Sequence, residues 1–226
     1  MKGTYIMNLN TKTVEVLKNF YSINPSLVVK EGNVLTTIST GKTIVAKAVV
    51  PDTFAKRFAM YNLGKFINSV TSYEKAELSF NDSHVVIKES DKSDSTRLSY
   101  ADESGIKVPP EKSISLPSID ASGKLTADAL NVVKKQLGIL DLPEIAIAGD
   151  GVNIYLQAID SKNPSSDTFS IVIGNTDKTF RAIFKAENIK IIPGDYEVDI
   201  CSRGISHFKG KDIEYWIAVE TNSTYN

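Results

Sequence analysis

The chain has 226 residues, and its 42% hydrophobic content argues against disorder and suffices for one large domain or two ordinary ones. Its 26 basic and 27 acidic side chains give a net charge of −1, so the protein has no bulk attraction for polyanions, and nucleic-acid contact requires positive charge sorted onto one surface. One cysteine excludes an internal disulfide, and neither a signal-peptide core nor an apolar run of roughly 18 residues is found, so we expect a cytoplasmic protein without membrane contact.

The first predicted element is an amphipathic helix near the start of the chain. Its apolar residues follow the three-and-four spacing of one buried face: Val14, Leu17, Phe20 and Tyr21. Thr11 or Thr13 is expected to begin this helix, and Asn24-Pro25 to end it.

Three strands are expected next. Glu31-Gly32-Asn33 lies between the β-rich runs 26–30 and 34–39 and predicts a hairpin, because Gly and Asn tolerate positive φ. A further strand over 43–49 follows Gly41-Lys42-Thr43. These three residues do not complete a nucleotide-binding loop, since Thr36 occupies the position where that loop needs its first glycine.

A second helix and two strands complete the first half. The apolar stripe of the helix comprises Leu63, Phe66, Ile67 and Val70. Strands are expected over 75–80 and 84–88, and the polar run 89–96 is interpreted as a solvated loop.

The second half repeats this order. A helix is predicted from Leu125, with Thr126 as its N-cap, and Lys134 and Lys135 are expected to point away from its buried stripe of Leu130, Val133 and Leu137. Gly149-Asp150-Gly151 predicts a hairpin at an offset of about 118 residues from the first one. The remaining predicted elements are a strand over 168–173, a short helix near 185–189, and strands over 195–201 and 213–219.

The order helix, hairpin, strand, helix, strands therefore occurs twice, which predicts a structural duplication. The segment 104–118 contains Pro109, Pro110 and Pro117 and is expected to be an extended connector. We predict an α+β protein with two similar domains of helices and antiparallel sheet, over 1–103 and 119–226.

The sequence shows no set of catalytic groups. His84 and His207 have no cysteine or carboxylate at metal-ligand spacing, and Cys201 lies in a predicted strand as a small buried hydrophobe. No nucleophile, base and orienting group occur together, so we expect neither an enzyme nor a metal or cofactor site. A hydrolase whose catalytic groups converge from distant positions stays open as an alternative.

Positive charge is concentrated in the predicted helices. Against Glu15, Asp128 and Glu187 they carry eight lysines, which we take as candidate DNA-facing residues: Lys12, Lys18, Lys65, Lys124, Lys134, Lys135, Lys185 and Lys190. If these helices face one way, their lysines form a surface that holds phosphates without reading bases. The alternative is that they are ordinary lysines on solvated helix faces.

Three stretches resemble the DNA sliding clamp of T-even-type bacteriophages, the processivity factor of their polymerase. They are Leu17-Lys18-Asn19-Phe20 with Ile23-Asn24, then Tyr61-Asn62-Leu63-Gly64-Lys65-Phe66, then Pro193-Gly194-Asp195-Tyr196 with Ala218-Val219-Glu220 and Ser223-Thr224. The resemblance runs over nearly the whole chain. The chain departs from the family in a longer segment before Leu9 and in Cys201, which stands at a tryptophan position of the family.

The resemblance implies a homotrimer that closes into a ring around duplex DNA, with helices lining the hole and no cofactor. An ATP-dependent loader would open the ring, and the polymerase and a sigma-like late-transcription factor would bind through C-terminal peptides. By analogy the peptide pocket comprises Ile106, Val108, Pro109, Leu116, Tyr215 and Trp216. The alternative function is a monomeric scaffold module that binds peptides and encircles no DNA.

Overall fold

The computed structural model describes residues 5–90 and 92–225, so Asp91, in the predicted loop 89–96, lies outside the described residues. The chain divides into two compact units, Met1–Pro110 and Glu111–Asn226. This division falls inside the proline-containing segment 104–118.

Unit 1 contains two α-helices and eight strands in its described part. In chain order they are β1 (Tyr5–Met7), α1 (Thr11–Ile23), β2 (Leu27–Val29), β3 (Gly32–Ile38), β4 (Ile44–Phe54), β5 (Phe58–Met60), α2 (Leu63–Thr71), β6 (Ala76–Phe80), β7 (His84–Glu89) and β8 (Ser95–Ser99). Within the unit the antiparallel pairings are β1-β6-β7-β8, β3 with β4, and β2 with β5.

Unit 2 contains one α-helix and nine strands in its described part. They are β9 (Ala121–Leu125), α3 (Ala127–Leu140), β10 (Glu144–Asp150), β11 (Asn153–Ile159), β12 (Phe169–Asn175), β13 (Thr179–Lys185), β14 (Tyr196–Cys201), β15 (Ile205–Lys209), β16 (Ile213–Ala218) and β17 (Thr224–Tyr225). The antiparallel orders within the unit are β9-β14-β15-β16 and β12-β11-β10-β13-β17.

The two units share one topology. In each, a strand precedes a helix, four strands follow, and the first strand pairs with the strand that opens the last group: β1 with β6, and β9 with β14. The predicted duplication and the α+β class are therefore confirmed. The repeat is incomplete, because α2 has no helical counterpart of similar length in unit 2, and the pairing of β10 with β11 has no counterpart between β2 and β3.

The first helix begins at Thr11, the earlier of the two predicted positions. Asn10 is the N-cap, and its side chain accepts a hydrogen bond from the Lys12 N–H at 2.9 Å. Thr13 is fully buried in the core with Leu17 and Phe20, so Thr11 is the one of the two predicted residues at which the helix begins. Tyr21 is not part of the buried face: it is 45% exposed, because its position is rotated about 100° from Phe20 around the helix.

The first predicted hairpin, around Glu31-Gly32-Asn33, is wrong. β2 pairs with β5, and β3 pairs with β4. Gly32 does adopt a positive φ of 106°, but it occupies an irregularity at the start of β3, where the register shifts between Gly32 and Val34. The residue types at the turn correctly predicted a positive φ at Gly32. The pairing partner of the fully buried β2, however, is determined by packing against residues distant in sequence.

The second half matches the prediction more closely. The hairpin of β10 and β11 is confirmed, as is the Thr126 cap, whose hydroxyl accepts from the Ala129 N–H at 3.2 Å. The predicted helix over 185–189 is wrong, since only Ala186–Asn188 form a single 3-10 turn. Over both units, seven strands are present where none was expected: β1, β5, β8, β9, β13, β15 and β17.

Gly149 in β10 is required by close packing. A Cβ added there would lie 2.6 Å from the Lys178 carbonyl oxygen and 2.7 Å from the ring of Phe180. Real Cβ atoms do not approach backbone oxygens so closely, so a side chain forces the strand and the following turn apart.

We therefore expect Gly149→Ala to lower the free energy of unfolding by about 1–3 kcal/mol, measured by urea denaturation. The matched control is Gly138→Ala, because a Cβ on this exposed α3 residue meets nothing within 4 Å. Helix propensity predicts that the control gains up to about 1 kcal/mol. Equal effects of the two substitutions would contradict the packing account.

Candidate nucleic-acid interface

The exposed faces of α1 and α2 in unit 1 carry lysines opposite their buried faces. Lys18 lies across α1 from Leu17 and Phe20, and Lys65 lies across α2 from Phe66. Lys12 is exposed at the flank of the first turn of α1. The two helices pack together. We refer to their exposed lysines as the lysine surface of unit 1.

Close contact between the two helices depends on a glycine. The ring of Tyr21 on α1 lies against Gly64 on α2, where an added Cβ would be 2.8 Å from the Tyr21 Cζ. The absence of a side chain at Gly64 thus lets the aromatic ring cover the backbone beside Lys65. Asn62 caps α2 by accepting a hydrogen bond from the Lys65 N–H at 2.9 Å, which fixes the position at which this lysine leaves the helix.

In unit 2, the two adjacent lysines of α3 have different environments. Lys135 is exposed on the side opposite Ala129, Leu130 and Val133. Lys134 is half-buried, and its Nζ donates to the carbonyl oxygen of Ile191 at 3.1 Å. The expectation that both point away from the protein is therefore wrong for Lys134.

Three further candidate DNA-facing lysines lie outside the α-helices. Lys124 is an exposed residue of β9, Lys185 is the exposed last residue of β13, and Lys190 is half-buried in a segment without regular structure. The three α-helices carry five lysines and two acidic residues, Glu15 and Asp128, so their net charge is +3 and not +5 as predicted. The excess of lysine remains, but it is smaller.

A cationic cavity of about 370 Å³ lies beside the lysine surface of unit 1. It is lined by Lys65 and Arg97 together with Met60, Tyr61, Asn62, Leu98, Ser99, Tyr100 and Ala101. None of its described lining residues carries a carboxylate, and Tyr61 among them is 72% exposed. Arg97 belongs to β8, the last strand in the order β1-β6-β7-β8, so the cavity adjoins a strand edge.

The candidate peptide-pocket residues fall into two groups. Ile106 and Trp216 are more than nine-tenths buried, and Tyr215 is completely buried, with its hydroxyl accepting from the Ile192 N–H. Trp216 stacks on His207 with ring centroids 4.6 Å apart. Val108 is exposed, and Pro109 and Leu116 are half-buried, so these three present surface to a ligand as the structure stands.

The groups considered for chemistry have structural partners. His207 Nε2 is 2.9 Å from a carboxylate oxygen of Glu214, a contact that sequence spacing did not indicate. Cys201 is buried, as expected. Among residues 5–90 and 92–225, no cluster of three or more His, Cys, Asp or Glu side chains suited to a metal ion occurs.

No helix in the described part of the chain is long and apolar enough to cross a membrane.

Sequence reasoning missed Arg97 and the bond that holds Lys134. Arg97 lies in a strand that was taken for the end of a loop, and only the alternation of exposed and half-buried residues in β8 signals it. The acceptor for Lys134 is a backbone carbonyl 57 positions away, for which a sequence carries no signal.

The fold is shared with solved ring-type clamps. The proliferating cellular nuclear antigen of Thermococcus kodakaraensis superposes with a TM-score of 0.70 at 12% identity, covering 96% of this chain and 99% of that one. The Streptococcus pneumoniae DNA polymerase III beta chain gives 0.66 at 12% identity, covering 97% of this chain and 66% of that chain. These similarities show the clamp fold.

Similarity in sequence identifies the family, which similarity in fold does not. Residues 122–221 match the family described as gp45 sliding clamp, C terminal. The sliding clamp of Vibrio phage KVP40 is 34% identical over 221 residues, covering 95% of this chain and 99% of the relative. That of Enterobacteria phage T4 is 28% identical over 229 residues, covering 97% and 100%. This chain belongs to the phage sliding clamp family.

Proposed function

We propose that the chain is the subunit of a sliding clamp that encircles duplex DNA and tethers the replicative DNA polymerase. The observation that carries the proposal is the placement of Lys18, Lys65 and Lys135 on the exposed sides of the three helices, in a chain that matches a phage clamp over 95% of its length. Contact with DNA is electrostatic and independent of sequence, because lysine ammonium groups pair with phosphates without reading bases.

Processivity follows from enclosure. Each lysine–phosphate contact is weak and exchanges readily, so the clamp slides, but a closed ring leaves the duplex only when a subunit contact breaks. A bound polymerase then stays at high effective concentration beside the primer end. The chain itself performs no reaction in this account, and it acts in the cytoplasm of the bacterial host.

The charge account predicts the effect of Lys18, Lys65 and Lys135 changed together to Glu. Reversing three contacts should lower polymerase stimulation on primed DNA by at least about tenfold at physiological salt without loss of folding, measured by primer extension and circular dichroism.

The matched control carries the same charge change on exposed lysines outside the helices, Lys47, Lys112 and Lys162. It should retain stimulation. Equal loss in both variants would mean that net charge, and not the helix surface, governs DNA contact.

Ring closure requires a head-to-tail contact, because only such contacts generate a cyclic trimer. Two edge strands support such a contact. Within their units, β8 and β12 are each paired on one side only, and an edge strand offers unpaired N–H and C=O groups to a second chain. Arg97 on β8 and Val172 on β12, which is 54% exposed, lie on these strands. We propose that the β12 edge of one subunit pairs with the β8 edge of the next.

Val172→Glu tests this contact. If β12 is covered by a neighbouring subunit, the new carboxylate loses its water, and the trimer should dissociate at a protein concentration at least about tenfold higher than before, measured by sedimentation equilibrium. Val152→Glu is the control, because Val152 is 64% exposed in the turn between β10 and β11 and not in an edge strand. Unchanged sedimentation of Val172→Glu would overturn this choice of edge.

Further partners are proposed from the family. An ATP-dependent loader opens the ring, so this chain need bind no ATP, and the polymerase and a sigma-like late-transcription factor insert C-terminal peptides into an apolar pocket. Val108, Pro109 and Leu116 are the candidate pocket residues whose surface is open. Ile106, Tyr215 and Trp216 would contribute only if their packing opened.

A further inference from the structure

The two units differ most in the segment of unit 2 that corresponds in chain order to α2 of unit 1. In unit 1 the chain between β5 and β6 forms α2, which packs on α1. In unit 2 the chain between β13 and β14 makes one 3-10 turn and then continues without helix; we call residues 189–194 the strap. The strap contains three β-branched isoleucines followed by Pro193, a composition that disfavours helix because proline excludes the helical conformation from the residue before it.

Side-chain hydrogen bonds hold the strap in place of helical ones. The Tyr196 hydroxyl donates to the Ile192 carbonyl oxygen at 2.6 Å, and the Ile192 N–H donates to the Tyr215 hydroxyl at 3.1 Å. The third bond comes from α3, where Lys134 Nζ donates to the Ile191 carbonyl oxygen at 3.1 Å. The strap is thus fastened beside α3, the helix that corresponds to α1.

Lys134 differs physically from the exposed helix lysines. Burial lowers the pKa of its ammonium group, and an ammonium removed from water needs an acceptor to offset the lost hydration. The Ile191 carbonyl is that acceptor. A lysine committed to a backbone carbonyl is not available to exchange among phosphates, whereas Lys135 on the next position is.

We propose that the strap replaces α2 as the DNA-facing element of unit 2, with Lys190 as its phosphate contact, and that Lys134 is a positioning residue that holds the strap against α3. This inference rests on the proposed clamp function. It divides the lysines of unit 2 by role: Lys135 and Lys190 contact DNA, and Lys134 acts through the strap.

The structural part is tested without DNA. In Lys134→Met, which keeps the length of the side chain but removes the donor, the Ile192 amide should exchange its hydrogen about tenfold faster, measured by NMR. Lys134→Arg should restore protection, because it keeps a donor. Lys135→Met is the matched control, with the same loss of charge at the adjacent exposed position, and should leave exchange unchanged. Unchanged exchange in Lys134→Met would overturn the positioning role.

The functional part uses a double-mutant cycle on the full-length clamp. Lys190→Met should shorten retention on primed circular DNA by a factor of about two to five, and adding Lys134→Met should cause no further loss, because the second lysine acts through the first. Additive losses would instead make Lys134 an independent phosphate contact and contradict the proposal.

These measurements distinguish failure of the proposed DNA surface from failure of the proposed role of the strap. If Lys135→Met and Lys190→Met both leave retention unchanged at low and physiological salt, the proposed DNA surface is wrong. If Lys135→Met shortens retention but Lys190→Met does not, the clamp function stands and the strap is not a DNA-facing element.

Discussion

The burial of one apolar face of each helix is the constraint on which the lysine surface depends. Leu17 and Phe20 on α1, and Leu130 and Val133 on α3, are almost completely buried against their own units. A helix has one rotation that buries such a stripe, so the residues opposite it are fixed in solvent. Lys18 and Lys135 are therefore oriented by hydrophobic packing and not by any interaction of their own charge, which leaves their ammonium groups in solvent.

The two units have the same order of elements but differ in the segment that follows their fourth strand after the first helix. Unit 1 presents its second basic element on α2, whose glycine admits the ring of Tyr21. In the corresponding stretch of unit 2, hydrogen bonds with two tyrosines and a lysine hold a segment without regular structure. The proposed phosphate contact requires only that a charge be held in place, so it is compatible with either a helix or an irregular segment. A site that read bases would tolerate the exchange less, because base readout depends on exact side-chain geometry.

Sequence patterns predicted what local periodicity determines. The three α-helices, the β10–β11 hairpin and the recurrence of elements all follow from apolar spacing and turn residues. The pairing of β2 with β5 does not follow from them. In a sequence, a short, fully buried strand has the same pattern as one strand of a hairpin, and only the tertiary structure shows its partner. Lys185 and Lys190 were counted with a short helix near 185–189, but only Ala186–Asn188 form a 3-10 turn, and Pro193 with the preceding isoleucines disfavours its extension. Residue spacing alone also placed Lys134 in solvent, since the acceptor on Ile191 comes from tertiary structure.

The helix lysines of both units are proposed to line a hole that contains DNA. Electron microscopy of the clamp loaded on duplex DNA tests this proposal most directly. The account predicts a closed trimeric ring in which Lys18, Lys65 and Lys135 face the phosphates of the enclosed duplex. A ring whose helix faces point outward, or a chain that binds DNA as an open monomer, would contradict it.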